Sequence, residues 1–262
     1  MHMSWYQLFH LGDPMLTLPL GSAIAAWLLA ARAWRPALGW IVGFGLALGL
    51  VAATKIAFMG WATGVPTLAF KAVSGHATGF AAVFPTLCYL AMPARMARAR
   101  VAAAAAALAL AAVVAAALVH AGEHTLAEAA AGWVIGACVF LCTARLARGT
   151  AVTAVTACAP EALHDAAPSL APAAAPDAAP SLTPAAAPDV TTAPASVTAA
   201  AAVPSAAPAP AFAPTPATIA CAALACLASA WLLRSAPLNW WMIKVALVLS
   251  GNSAPVPWDH CG

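Results

Sequence analysis

Six apolar runs decide what this chain can fold into. They cover residues 14–31, 37–59, 77–94, 101–119, 126–144 and 217–233. A helix of about 20 residues crosses the roughly 30 Å of bilayer hydrocarbon. Within hydrocarbon, backbone N–H and C=O groups must find partners in the protein itself, a condition a helix meets within its own segment. The expected fold class is therefore an all-α, polytopic integral membrane helix bundle with about six transmembrane helices. Composition agrees: Asp, Glu, Lys and Arg make up 7% of the 262 residues, against about a quarter in a soluble domain. So little polar surface cannot face water all round. A net charge of +3 is too small to make nucleic acid a partner, whereas membrane lipids are unavoidable ones.

The arginines orient the bundle. Arg32 and Arg35 follow the first run, Arg95, Arg98 and Arg100 separate the third from the fourth, and Arg145 and Arg148 follow the fifth. Cytoplasmic loops collect Lys and Arg, so these three loops are expected inside and the loops after the second and fourth runs outside. Four segments follow: an interfacial segment at 1–13, the bundle at 14–148, a linker at 149–216 and a transmembrane or interfacial segment at 217–262. The linker is rich in Ala and Pro and repeats "DAAPSLAPAAAP" as "DAAPSLTPAAAP", from Asp165 and Asp177. Proline at that density favours an extended, disordered tether over helix or sheet. In the last segment, "LNWWMIKVALVLSG" carries a Trp pair and Lys244, which suit a membrane–water interface. Cys88, Cys138, Cys142, Cys221 and Cys226 fall inside apolar runs and read as small apolar helix residues.

Ionisable groups at a membrane lip mark functional sites, and here they gather at one end. Lys55 lies toward the outer end of the second run. Lys71, Ser74, Gly75 and His76 precede the third, and His120, Glu123, His124 and Glu128 lie where the fourth run ends and the fifth begins. His124 and Glu128 are spaced i, i+4 and share one helix face. A carboxylate on one imidazole nitrogen fixes the tautomer and leaves the other nitrogen free to attack. "SGH" before a helix offers backbone N–H groups and the positive dipole end, a seat for an anion. His76 there can protonate a departing oxygen, and Lys55 can neutralise phosphate oxygens. These parts match phosphoryl transfer through a phosphohistidine.

The same residues carry a family resemblance. A lysine, "SGH" and a distant H-x-x-x-acid on alternate ends of four apolar helices resembles the type 2 phosphatidic-acid phosphatase (PAP2) family of membrane phosphatases. "KIAFMGW" and "SGHATG" are similar to its bacterial members, and "HTLAEAAAGWVIG" resembles its third segment, with Glu128 in place of an aspartate. The resemblance implies a metal- and cofactor-free phosphatase acting on a lipid phosphate at the periplasmic face of a bacterial inner membrane. In that scheme His124 is the nucleophile, Glu128 orients it and His76 is the general acid. Lys55, Ser74 and Gly75 hold the phosphate, with Lys71 and His120 as further candidates. The chain departs from the family pattern at its two arginines: the Arg-Pro positions of the first motif are Ala62 and Thr63, and the Ser-Arg positions of the third are Ala117 and Leu118. A catalytically impaired relative that binds lipid phosphate headgroups is therefore the second reading. A third is a zinc hydrolase, because His120, Glu123 and His124 spell H-x-x-E-H, with Glu128 as a further ligand. The oligomeric state and the particular lipid are left open.

Overall fold

The structure, a computed structural model, describes residues 12–158, 214–235 and 238–257. All six apolar runs are helical. The helices are α1 (Pro14–Ala30), α2 (Trp34–Trp61), α3 (Gly75–Ala91), α4 (Ala97–His120), α5 (Leu126–Cys158), α6 (Pro216–Ser235) and α7 (Leu238–Ser250), with single 3-10 turns at Pro66–Leu68 and Ala94–Met96. Four of them are long and apolar enough to cross a membrane: Trp34–Trp61, Ala97–His120, Leu126–Arg148 and Pro216–Arg234. Their outer faces carry Leu38, Leu46, Leu224 and Leu227, each about two-thirds exposed. A continuous apolar exterior of this kind suits lipid rather than water. The interfacial segment expected at 1–13 and the repeats of the linker lie almost wholly outside the described residues.

The chain forms two compact units, Met1–Ala154 with Ala209–Gly262, and Val155–Pro208. Of the second, residues 155–158 are described, and they are helical. Helix α5 thus runs to Cys158, ten residues beyond Arg148. The local reason is composition: "GTAVTAVTAC" contains no proline, and the first one comes at Pro160.

Helix α3 is the axis of the first unit, with Ala77 through Val83, Pro85, Thr86, Tyr89 and Leu90 all buried. One core joins it to α1, α2 and α5 through Ile24, Leu28, Trp40, Phe44, Val83, Leu90 and Phe140. Trp40 stacks on Phe44 with ring centroids 4.8 Å apart and donates its Nε1–H to Gly21 O at 2.8 Å. A smaller core binds α3 to the alanine-rich α4 through Phe80, Ala81, Ala111, Val114 and Leu118. Helix α6 packs back onto α1, where Ser22 Oγ and Ser229 Oγ lie 2.6 Å apart.

Two glycines set the spacing of α3 and α5. A Cβ on Gly132 would stand 2.5 Å from Ser74 O, and one on Gly136 would stand 2.5 Å from Thr78 O. Small residues four apart let helix backbones touch where side chains would hold them away. Beside them, Trp133 serves packing: its Nε1–H donates to Leu108 O on α4 at 3.1 Å. At the opposite end of α3, the Arg100 guanidinium lies 3.7 Å over the Tyr89 ring, and its Nε donates to Tyr89 O. Arg148 Nε donates to the Tyr89 hydroxyl at 3.0 Å. Tyr89 thereby ties α4 and α5 to the far end of the axis.

Candidate active site

The end of the bundle opposite Tyr89 opens into a cavity of ≈ 790 Å³. It is lined by Lys55, Lys71, His76, Gly122, Glu123, His124, Thr125, Glu128 and Asn239. Four segments far apart in sequence meet there, and three of them are placed by local devices.

The first device ends α2 and aligns the following loop. Ala62 closes the helix in the left-handed conformation, φ 52°, with its N–H on Phe58 O. Lys55 lies just under two turns before this cap, half-buried in the cavity wall. Thr54 beside it accepts the Val73 N–H at 3.2 Å, which holds the segment before α3 against α2.

The second device starts α3. Ser74 is its N-cap, with Oγ accepting the Ala77 N–H at 3.4 Å, the arrangement that satisfies one of the orphan donors at a helix start. Ser74 is fully buried and does not line the cavity, so its side chain serves the turn. The N–H groups of Gly75 and His76 make no hydrogen bond to another described residue. They occupy the first helical positions, where the dipole favours an anion. Gly75 is itself close-packed, since a Cβ there would meet Val51 at 3.3 Å.

The third device starts α5 and is the most connected. Thr125 Oγ1 accepts the Glu128 N–H at 3.4 Å, while Glu128 Oε2 accepts the Thr125 N–H at 3.1 Å. This reciprocal pair is a capping box. Glu128 Oε2 also lies 3.0 Å from His124 Nδ1. Its other oxygen, Oε1, accepts the N–H groups of Lys71 at 2.9 Å and Ala72 at 3.4 Å. Finally, Glu128 O accepts the Ser74 N–H at 3.2 Å. One carboxylate thus caps α5, orients His124 and pins the loop that leads to His76.

The two imidazoles face each other across the cavity, with ring centroids 6.4 Å apart and planes tilted by 56°. Glu128 on Nδ1 leaves His124 Nε2 as the nitrogen available for chemistry. Two ammonium groups, Lys55 and Lys71, stand against the carboxylates of Glu123 and Glu128 in the lining. Lys71, a further phosphate-binding candidate from the sequence, occupies the wall.

His120 is not brought in. It is exposed at the last residue of α4 and lies off the cavity. Helix α4 ends there, and Gly122 adopts φ +77°, so the H-x-x-E-H residues do not share a helix face. Among the described residues no group of three His, Cys, Asp or Glu is placed to hold a metal, and the zinc reading loses its geometry. The positions of the missing arginines behave differently from one another. Ala62 and Thr63 are exposed beyond α2, whereas Ala117 and Leu118 are buried, Leu118 within the α3–α4 core.

Sequence reasoning missed Thr54, Thr125 and Asn239. The T-x-x-E spacing of "TLAE" was the available signal for Thr125. Nothing marks Asn239, which reaches the cavity from beyond the Ala/Pro-rich stretch.

Comparison with known proteins agrees with the resemblance. Residues 53–150 match the model of the PAP2 superfamily, the interval that holds every cavity residue except Asn239. A Klebsiella pneumoniae protein described as "Uncharacterized 22.5 kDa protein in cps region" is 32% identical over 143 residues. That match covers 52% of this chain and 65% of the relative. No solved structure matches the chain.

Proposed function

We propose that the PAP2-superfamily region at residues 53–150 makes this chain a membrane phosphatase that hydrolyses a lipid-linked phosphate monoester or pyrophosphate. The observation that carries the reading is the His124–Glu128 pair at 3.0 Å with His76 across one cavity that also presents Lys55 and Lys71.

The steps follow from the geometry. Lys55, Lys71 and the N–H groups of Gly75 and His76 hold the phosphoryl oxygens, with Ser74 fixing the turn that presents them. His124 Nε2 attacks phosphorus as the bond from phosphorus to the leaving oxygen breaks, while the Nδ1 proton stays on the ring and is donated to Glu128. Protonated His76 delivers its proton to that oxygen, and the lipid alcohol, or lipid phosphate from a pyrophosphate, departs. Water then attacks the phosphohistidine, neutral His76 accepts the water proton, and the P–N bond breaks. Inorganic phosphate leaves and both histidines return to their starting state. No step draws on a metal or organic cofactor. General acid–base assistance of this kind contributes about 100- to 10,000-fold.

Placement of the site at the periplasmic side of a bacterial inner membrane is supported by the arginine-rich loops at the opposite end of the helices.

The positions of the family arginines favour a second reading, a headgroup-binding relative without turnover. Removing one donor to a transition-state oxyanion costs about 100- to 1,000-fold, and Leu118 is packed where it presents nothing to the cavity. One experiment separates the two. Purified protein in detergent with chelator is assayed for phosphate release from phosphatidate, a prenyl diphosphate and lipid A, beside His124→Ala. Release that His124→Ala abolishes supports the phosphatase. Saturable phosphatidate binding without release selects the headgroup binder, and neither release nor binding by folded protein overturns both.

A further inference from the structure

We infer that helix α7 is the closing wall of this cavity and that Asn239 is a substrate-contacting residue, donating its side-chain amide to a phosphate oxygen. The inference rests on the lipid-phosphate reading of the site and adds a residue that lies outside the matched family region.

Three observations converge. The first is position: Asn239 lines the cavity although its neighbours there come from residues 55–76 and 122–128. The second is anchoring, because α7 is fastened to the helix that carries Lys55. Asn252 Nδ2 donates to Gly60 O at 2.6 Å, and Val256 N–H donates to Met59 O at 2.9 Å. Ala246 is fully buried in this contact, and a Cβ on Gly60 would stand 3.3 Å from Ala246 O and from Ser250 Cβ. A single Cβ at position 60 would press α7 a few tenths of an ångström off α2, and a branched side chain would press it further.

The third observation is the surface that α7 presents. Trp240 and Trp241 stand about half exposed, edge to face with centroids 5.0 Å apart, and Lys244 Nζ lies 4.5 Å over the Trp240 ring. Tryptophans and lysine of this kind settle at the headgroup level of a bilayer. Asn239 precedes them by one residue, so it stands at the depth where a phosphate leaves its acyl chains. A carboxamide donates without adding charge, which suits a cavity whose two ammonium groups already offset its two carboxylates. It also restores a donor to a site without the family arginines.

The ligand chemistry is a phosphate oxyanion, from a lipid headgroup or from a free phosphate ester. Full-length Asn239→Ala, Asn239→Asp and Gly60→Val are compared with the wild type and with Val248→Ala, whose side chain on α7 is 79% exposed. Binding of dioctanoyl phosphatidate and turnover of both dioctanoyl phosphatidate and p-nitrophenyl phosphate are measured. Loss of one hydrogen bond to a charged group weakens binding by about tenfold or more. Asn239→Ala is expected to weaken phosphatidate binding and raise KM by that factor with a smaller change in kcat. Asn239→Asp should weaken both further, and Val248→Ala should change nothing. Gly60→Val, which lifts α7, should reproduce Asn239→Ala. An equal effect on p-nitrophenyl phosphate assigns the contact to phosphate itself. An effect confined to phosphatidate assigns it to the lipid headgroup. Unchanged binding and KM in folded Asn239→Ala, with the wild type binding or turning over phosphatidate, overturns the inference alone. A wild type that neither binds nor turns over phosphatidate overturns the lipid-phosphate reading beneath it.

Discussion

Replacement of Gly132 by alanine tests whether backbone contact between α3 and α5 sets the geometry of the site. The new Cβ would stand 2.5 Å from Ser74 O, 3.0 Å from Thr78 Oγ1 and 3.1 Å from Ala77 Cβ. Even a close C–H···O contact keeps carbon and oxygen about 3.3 Å apart, so the helices must part by about 0.8 Å. The nearest obstacle is a carbonyl at the helix cap, which cannot swing away as a side chain would. Overpacking of this kind costs about 1–3 kcal/mol. Against it stands the gain in helix propensity from glycine to alanine, about 1 kcal/mol. Gly45→Ala isolates that gain, because a Cβ there meets nothing within 4 Å. The difference between the two variants is therefore the clash alone, worth about 2–4 °C in Tm per kcal/mol for a chain of this size. The catalytic effect should be larger, since Ser74 is two residues from His76 and moves with the cap. A displacement near 1 Å costs about 100-fold in rate. Thermal unfolding and phosphate release in detergent are to be measured on both variants. Gly132→Ala should lose stability relative to Gly45→Ala and lose about 10- to 100-fold in turnover. If the two melt together and turn over alike, the spacing of α3 and α5 is not set by this contact.

Two further perturbations separate roles that share a residue. Glu128→Gln keeps one accepting oxygen but turns the other into an NH2 donor facing N–H groups. It also removes the negative charge beside His124, so about 1 kcal/mol should be lost while turnover falls by about 100-fold or more. Glu128→Ala should add a loss of about 1 kcal/mol for the missing cap, and a wild-type rate in Glu128→Gln would refute the orienting role. At the other end, Tyr89→Phe removes the acceptor for Arg148 and keeps the ring under Arg100, with an expected cost of about 1 kcal/mol. Tyr89→Ala leaves the buried Arg100 guanidinium without its ring and should cost about 3–5 kcal/mol. Equal unfolding of the two Tyr89 variants in denaturant would show that the ring contributes nothing.

Much of this architecture is local and so was legible. Apolar runs of bilayer length become helices because hydrocarbon permits little else, and each of the six did. His124 and Glu128 are spaced i, i+4, but His124 lies two residues before α5 and not on its face. It met Glu128 because the carboxylate folds back over the Thr125 cap, and "SGH" opened α3 because Ser74 is a good cap. Tertiary contacts were less legible. The same spacing arithmetic spelled a zinc motif at His120, Glu123 and His124, but α4 stops at His120 and Gly122 turns the chain away. Gly132 and Gly136 look like any glycines in an apolar run, and only the helix laid against them reveals their purpose. Asn239 is the extreme case, since no pattern in the sequence ties residue 239 to residue 55.

The several attachments of Glu128 bear on how the protein can change over generations. Glu128 caps α5, holds two loop N–H groups and receives another through its carbonyl, so folding alone keeps it under selection. His76 makes no side-chain hydrogen bond to a described residue, and its loss would leave the bundle intact. Under the proposed phosphoryl transfer, a lineage that abandoned the chemistry would therefore shed His76 long before Glu128. Across relatives of this chain, the residue that reports whether the chemistry survives is the one the fold could do without.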